Sequence, residues 1–150
     1  MICLLQTLRR HEGLERLVRM DASAISIVTD PFASDAAMRE LWRSAWQNDG
    51  PESFVSILRR SLVHIGAFDE ARLVGFVNVA WDGGVHAFIL DPCVHRSYQR
   101  QGIASRMLAQ AASEARERGA QWLHVDFEPH LTQFYRSCGF RPTEAGLLAL

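Results

Sequence analysis

Apolar side chains that recur every three or four residues predict the helices of this chain. The predicted helices cover about residues 35–48, 54–61, 102–119 and 131–135. The third is the best defined, and its apolar positions are Ile103, Met107, Leu108, Ala111, Ala112 and Ala115. Ser34 or Asp35 is a suitable N-cap for the first helix, and Gly119 supplies the C-terminal stop of the third. Residues 1–23 mix charged and apolar side chains in a pattern compatible with a further short amphipathic helix.

Short apolar runs separated by turn residues predict the strands. They cover residues 25–29, 63–68, 73–81, 85–90 and 122–128, with a terminal pair of short strands around Phe140 and residues 147–150. The connections among the second, third and fourth runs are too short for crossovers, so these strands form an antiparallel meander. Pro92 indicates that regular pairing is interrupted there by a bulge or an edge. This order of elements predicts an α+β or mixed α/β fold.

Composition narrows the class of protein. A chain of 150 residues with 48% hydrophobic side chains fits a single domain over 1–150, with residues 1–23 as an N-terminal extension of undefined role. The 16 basic and 17 acidic residues nearly balance, and no block of like charge indicates nucleic-acid or polybasic membrane binding. Three widely spaced cysteines, the lack of a secretory-signal layout and the lack of a long apolar stretch predict a cytoplasmic protein without a membrane span.

The segment from Val94 to Ala104 leaves a strand, turns and enters the best-defined helix. A helix start exposes unpaired backbone N–H groups and the positive end of the helix dipole, so such a turn can hold a pyrophosphate. Gly102 would let the backbone approach a phosphate closely, the small Ala104 leaves room beside it, and Arg100 could add charge at the rim. Taken alone, a glycine before an amphipathic helix is more often only a turn.

The sequence Q-R-Q-G-I-A at residues 99–104 matches the Q/R-x-x-G-x-G/A turn of the GNAT acetyltransferases. The longer run V-H-R-S-Y-Q-R-Q-G-I-A resembles that family's V-H-P-x-Y-Q-R-x-G-I-G, with Arg96 in place of proline and Ala104 in place of the last glycine. The resemblance covers residues 63–150 well and residues 25–62 loosely. A Rossmann dinucleotide site, which also places phosphate at a helix start, would need G-x-G-x-x-G after a first strand, and Gly102 stands alone.

The resemblance implies an acyl-CoA N-acyltransferase fold: a twisted mixed sheet, flanked by helices, with an antiparallel N-terminal meander and a parallel pair that splays apart. It also implies that acetyl-CoA binds in the slot between the splayed strands. Main-chain groups around Cys93 and Val94 would pair with the pantetheine arm, and amides near the turn would receive the pyrophosphate. The cofactor-binding residues that it implies are Cys93, Val94, Gln99, Arg100, Gln101, Gly102, Ile103, Ala104 and Ser105.

Acetyl transfer from a thioester to an amine needs a neutral amine and a proton donor for the departing thiolate. Residues 134–140, F-Y-R-S-C-G-F, match the family's F-Y-x-x-x-G-F segment, and this likeness implies that Tyr135 is the general acid. A tyrosine on an amphipathic helix otherwise indicates half-buried packing. Cys138 is interpreted as a core residue, because the family transfers the acetyl group directly to the amine.

Alternation along the strand predicted at residues 122–128 places His124, Asp126 and Glu128 on one face. Three ionisable side chains are costly on a covered sheet face, so we expect this face to meet the acceptor site, unless it is only solvated near the end of the sheet. Glu128 is the first candidate for the general base or amine ligand, and Asp126 the second. His86 and His124 are candidate substrate-binding residues. A metal site is not expected.

The sequence therefore predicts an N-acetyltransferase that moves an acetyl group from acetyl-CoA to a primary amine of a small molecule or peptide. Two alternatives remain at this point: a non-catalytic acyl-CoA-binding or regulatory module, and an enzyme that acetylates a lysine or the N-terminus of a protein. The second ranks behind a small-molecule amine, because no acidic docking stretch for basic tails is present. A homodimer is left open.

Overall fold

The computed structural model describes residues 24–149, and the helix predicted within residues 1–23 lies outside that range. Five strands form one sheet in the order β1-β2-β3-β4-β5. The first three pairings are antiparallel, and β4 pairs with β5 in parallel, which confirms the predicted mixed sheet. The strands are β1 (Ser26–Thr29), β2 (Val63–Asp69), β3 (Arg72–Trp81), β4 (His86–Val94) and β5 (Trp122–Val125).

Four helices flank the sheet: α1 (Asp35–Trp46), α2 (Val55–Leu58), α3 (Ile103–Glu117) and α4 (Thr132–Ser137). Two 3₁₀ turns, Arg96–Tyr98 and Pro129–Leu131, precede α3 and α4. Helix α1 begins where expected, because the Ser34 hydroxyl accepts a hydrogen bond from the Ala37 amide at 3.3 Å. It ends at Gln47, whose left-handed backbone (φ 60°) closes the last turn.

The helices divide the core into two layers, one on each face of the sheet. Helix α3 packs against β1 to β4 and buries its apolar face, including Ile103, Met107 and Ala111. Helices α1 and α2 cover part of the opposite face, where Met38 and Trp42 pack against strand residues such as Phe76. Each large side chain buried in this way stabilises the fold by about 1.5–3 kcal/mol.

A β-bulge interrupts β4 at the position that Pro92 indicated. Phe76 pairs with Cys93 and Asn78 with Leu90, so Asp91 and Pro92 together oppose the single residue Val77. Asp91, the first of the two, has a positive φ of 53°, the left-handed conformation found in the G1 type of bulge. Pairing with β5 ends at Ile89 opposite Val125, so β4 continues to Val94 without a partner strand on that side among residues 24–149.

Two predicted strand ends and one predicted pair of strands are wrong. Strand β4 extends through the bulge to Val94 instead of ending at Leu90. Strand β5 ends at Val125, so Asp126 and Glu128 lie after the strand and not within it. The terminal strand pair is absent over residues 140–149, where the described chain has no regular structure. No helix within residues 24–149 has the length and apolar character needed to cross a membrane.

Candidate active site

A cavity of about 830 Å³ opens where β4 leaves β5, between the start of α3 and the wall formed by α4. Its lining includes eight of the nine cofactor residues that the sequence implied: Cys93, Val94, Gln99, Arg100, Gly102, Ile103, Ala104 and Ser105. The ninth, Gln101, lies outside this lining and directs its side-chain amide to the Ser97 carbonyl at 3.4 Å. The end of β4 and the turn at residues 99–105 therefore border the same cavity.

The start of α3 leaves its amide groups open to this cavity. Gly102 is the N-cap residue (φ 75°, ψ 4°) and has no side chain that could cap the first turn, which also contains no acidic residue. A Cβ atom built on Gly102 would meet nothing within 4 Å, so the backbone borders open space. Unpaired N–H groups and the positive end of a helix dipole make this point suited to an anion.

The turn that leads into α3 is anchored from three directions. The Tyr98 hydroxyl donates to Asp69 Oδ2 at 2.6 Å, which ties the turn to the end of β2. The His95 amide donates to the Val74 carbonyl at 2.8 Å, and the Arg96 amide donates to Ser44 Oγ on α1 at 3.1 Å. Because these bonds hold the turn in place, its amides need little rearrangement to receive a ligand.

Tyr135 lines the cavity from α4, with only 3% of its surface exposed. Its ring stacks on Phe127 at a centroid distance of 4.5 Å and meets Phe134 and Phe140 edge-on. Burial raises the pKa of the Tyr135 hydroxyl, and the neighbouring Cys138 thiol raises it further. A tyrosine held in this way stays protonated at neutral pH and is able to donate a proton.

Asp91 is a candidate that the sequence analysis missed. It lies in the bulge of β4, directly before Pro92 and Cys93, which line the cavity. The residue keeps contact with solvent, yet the surrounding protein atoms remove enough water from the carboxyl group to raise its pKa. An acidic residue before a proline, at the point where a strand loses its partner, was the signal that could have identified it.

The carboxylates that the sequence favoured lie elsewhere. Asp126 and Glu128 are both exposed and lie outside the cavity lining. His124 also lies outside it, on the open face of β5, where its Nε2 is 2.8 Å from Nδ1 of His86 on β4. His130, which the sequence analysis did not select, does line the cavity. Within the described part of the chain, no three His, Cys, Asp or Glu side chains are grouped to hold a metal ion.

Comparisons with known proteins agree with this geometry. The family model described as "Acetyltransferase (GNAT) family" matches residues 30–140. An uncharacterised N-acetyltransferase from Porphyra purpurea is 32% identical over 71 residues, which cover 47% of this chain and 41% of that protein. An uncharacterised N-acetyltransferase from Pyropia yezoensis is 29% identical over 71 residues, which again cover 47% of this chain and 41% of that protein. The match therefore spans less than half the length of these curated relatives.

Solved structures share this fold over most of the chain. A GNAT-family acetyltransferase from Streptococcus pneumoniae is 27% identical, with a TM-score of 0.69 over 84% of this chain and 97% of its own. An aminoglycoside N-acetyltransferase solved in complex with CoA has a TM-score of 0.67 over 85% of this chain and 95% of its own, at 16% identity. The match of the family model to residues 30–140 shows that the chain belongs to the GNAT acetyltransferase family.

Proposed function

We propose that this protein is an N-acetyltransferase that transfers the acetyl group of acetyl-CoA to a primary amine of a small molecule or peptide. The observation that carries this proposal is the cavity in which the uncapped amides of α3, the unpaired edge of β4 and the hydroxyl-bearing ring of Tyr135 meet. Family membership supports it, as does the CoA complex of the structurally similar aminoglycoside enzyme.

The residues of this chain fit the parts of acetyl-CoA. The amides around Gly102 and Ala104 would receive the pyrophosphate, with Arg100 adding positive charge at the rim. The main chain of Cys93 and Val94, which has no partner strand on the β5 side in the described part of the chain, would pair with the amide groups of the pantetheine arm. Acetyl-CoA, when bound, supplies the thioester whose acetyl group is transferred.

Direct transfer forms one bond and breaks one. The amine nitrogen bonds to the acetyl carbon as the carbon–sulfur bond breaks. Before the attack, the general base removes one proton from the ammonium to give the neutral amine. After the attack, Tyr135 donates its hydroxyl proton to the departing sulfur, and the second N–H proton that leaves the nitrogen restores the tyrosine hydroxyl. Burial keeps Tyr135 protonated through its raised pKa, which suits the donor role.

Two residues compete for the role of general base, and the geometry favours Asp91 over Glu128. Asp91 is exposed and outside the lining itself, but it directly precedes the lining residues Pro92 and Cys93, and the protein atoms around its carboxyl group raise its pKa by removing water from it. Glu128 is exposed and lies outside the lining, between the end of β5 and the 3₁₀ turn before α4. Asp126, exposed after β5, ranks with Glu128.

The test has two parts: titration of the purified protein with acetyl-CoA in a calorimeter, and a free-thiol assay with acetyl-CoA and a panel of amines. We expect binding, together with thiol release that depends on an amine. Binding without release for any small amine, peptide or protein amine would instead support a non-catalytic acyl-CoA-binding module. If acetyl-CoA does not bind at all, the proposal is wrong.

A further inference from the structure

Trp46, the last residue of α1, lines the cavity but has no part in holding acetyl-CoA as proposed above. The residues assigned to the cofactor come from β4, from the turn after it and from α3, whereas Trp46 reaches the cavity from a different helix. It is 38% exposed although its side chain is large and mostly apolar. An exposed indole ring at the wall of a cavity is a suitable contact for a ligand.

The position of Trp46 is fixed by its neighbours. Its ring meets the buried ring of Trp42 edge-on at a centroid distance of 4.3 Å, and Trp42 in turn contacts Phe54 at 4.9 Å. Two residues before Trp46, the Ser44 hydroxyl accepts a hydrogen bond from the Arg96 amide at 3.1 Å. The end of α1 is therefore tied both to the core and to the turn that borders the cavity.

Trp46 and Tyr135 belong to opposite faces of the sheet. Trp42, which contacts the Trp46 ring, packs in the core layer beneath α1, whereas Tyr135 packs in the layer beneath α3. On the α3 side, the cavity residues Met107 and Leu108 are buried in that core, so a second ligand does not enter through them. With Tyr135 beside the sulfur on the α3 side, the amine approaches the thioester from the α1 side, where Trp46 lies.

The cavity lining suits an amine with one positive charge and an apolar chain. Within residues 24–149, the residues that line the cavity include no Asp or Glu. Its positive groups, Arg100 and the start of α3, are matched to the pyrophosphate and offer nothing to a second ammonium group. Trp46, Leu131 and Phe134 add apolar surface to the lining. A charge that is removed from water without a partner is costly, whereas an apolar chain gains from the same burial.

We propose that the acceptor is a primary amine with an apolar carbon chain and no second charge, and that Trp46 selects it by packing on that chain. This inference rests on the proposed N-acetyltransferase function and narrows its substrate class. Asp91, directly before two lining residues, serves the single ammonium group until that group loses its proton. A second ammonium group on the chain would have no carboxylate partner in the lining, which disfavours polyamines.

The experiment compares butylamine with 1,4-diaminobutane in the free-thiol assay, because the two share a four-carbon chain and differ in the second ammonium group. We expect kcat/KM to be at least about tenfold higher for butylamine, equivalent to about 1.4 kcal/mol. Trp46→Ala should raise KM for butylamine several-fold, and Trp46→Phe, which keeps an aromatic ring, should restore most of the loss. Trp46→Glu, which adds a carboxylate to the wall, should shift the preference towards the diamine.

Trp122 provides the matched controls. It is a more exposed tryptophan (54%) on β5, outside the cavity lining, so Trp122→Ala and Trp122→Glu should both keep the preference for butylamine. Calorimetry should show unchanged affinity for acetyl-CoA in every Trp46 variant. If Trp46→Ala weakens acetyl-CoA binding as much as it raises KM for butylamine, the ring belongs to the cofactor site and the inference is wrong.

The outcomes separate this inference from the proposed function. If some amine of the panel releases thiol but butylamine is not used better than 1,4-diaminobutane, the substrate class is wrong and the acetyltransferase proposal stands. If no amine releases thiol, both are wrong. Circular dichroism identifies any misfolded variant, and Trp46→Phe, which retains a ring against Trp42, then gives the comparison through its KM for the two amines.

Discussion

Replacing Gly102 with alanine tests the anion site at the start of α3. The new Cβ would meet no atom within 4 Å, so the cost to folding comes from the left-handed backbone (φ 75°) and not from a clash. That cost is about 1–2 kcal/mol for a residue other than glycine. In a domain of this size it lowers the melting temperature by about 2–8 °C.

The effect on ligand binding should be larger. The methyl group would project where the backbone borders the cavity, and a phosphate would be held away from the amides of Ile103 and Ala104. Hydrogen bonds to a charged group contribute about 1.5–3 kcal/mol each, so losing two weakens binding by about 3 kcal/mol or more. We therefore expect affinity for acetyl-CoA to fall at least about a hundredfold.

Gly119→Ala is the matched control for this prediction. Gly119 follows the other end of the same helix, has a φ of 105°, and a Cβ there would also meet nothing within 4 Å, but it does not line the cavity. The Gly119→Ala variant should lose at least as much stability as Gly102→Ala and should keep its affinity for acetyl-CoA. Calorimetry and thermal melting of both variants measure the two effects. Equal affinity in Gly102→Ala and Gly119→Ala would show that the start of α3 does not bind the pyrophosphate.

Three further predictions concern proton transfer and stability. Tyr135→Phe keeps the stacked ring, so acetyl-CoA affinity should stay within about twofold while kcat falls by about a hundredfold; a fully active variant would remove Tyr135 from the mechanism. Asp91→Asn should abolish the fall in kcat/KM at low pH. In the unmodified protein, the midpoint of that fall should lie above about 3.9, the usual Asp pKa, because the pKa of Asp91 is raised. If Glu128→Gln abolishes the fall instead, Glu128 is the base. Burial lowers the pKa of the His64 imidazole, so this side chain binds a proton more readily in the unfolded chain than in the folded protein. Stability should therefore rise with pH from that lowered pKa up to about 6.5 and be lost on acidification through the same window. Thermal melts of His64→Phe should show a flatter pH dependence, and an unchanged slope would contradict this role.

Patterns in the sequence were sufficient for the parts of the fold that depend on local signals. The helical spacing after Gly102 and the Ser34 cap predicted α3 and α1, and the short turns predicted the antiparallel meander. The motif at residues 99–104 also predicted which turn would border the cavity. These features depend on backbone conformation and on local hydrogen bonds, which few residues specify.

The end of β5 could not be predicted in this way. Leu123, Val125 and Phe127 all pack towards the core, so the alternation of side chains continues past the last hydrogen-bonded residue. Whether β4 and β5 remain paired depends on contacts distant in sequence, such as the stacking of Phe127 on Tyr135. Glu128 was favoured as the base because the strand was expected to continue, and Asp91 was missed because its position depends on the bulge.

The two-against-one pairing of Asp91 and Pro92 with Val77 has a consequence for engineering this protein. The bulge absorbs one extra residue, so Leu90 and Cys93 lie three positions apart and still face the same side of the sheet. Deleting Pro92 would leave Asp91 alone opposite Val77, and Cys93 would keep its place opposite Phe76 beneath α1. Deleting a residue from the regularly paired part of β4, such as Ile89, would instead reverse the faces of the residues on one side of the deletion. Shortening β4 by one residue should therefore be much less damaging at the bulge than at Ile89.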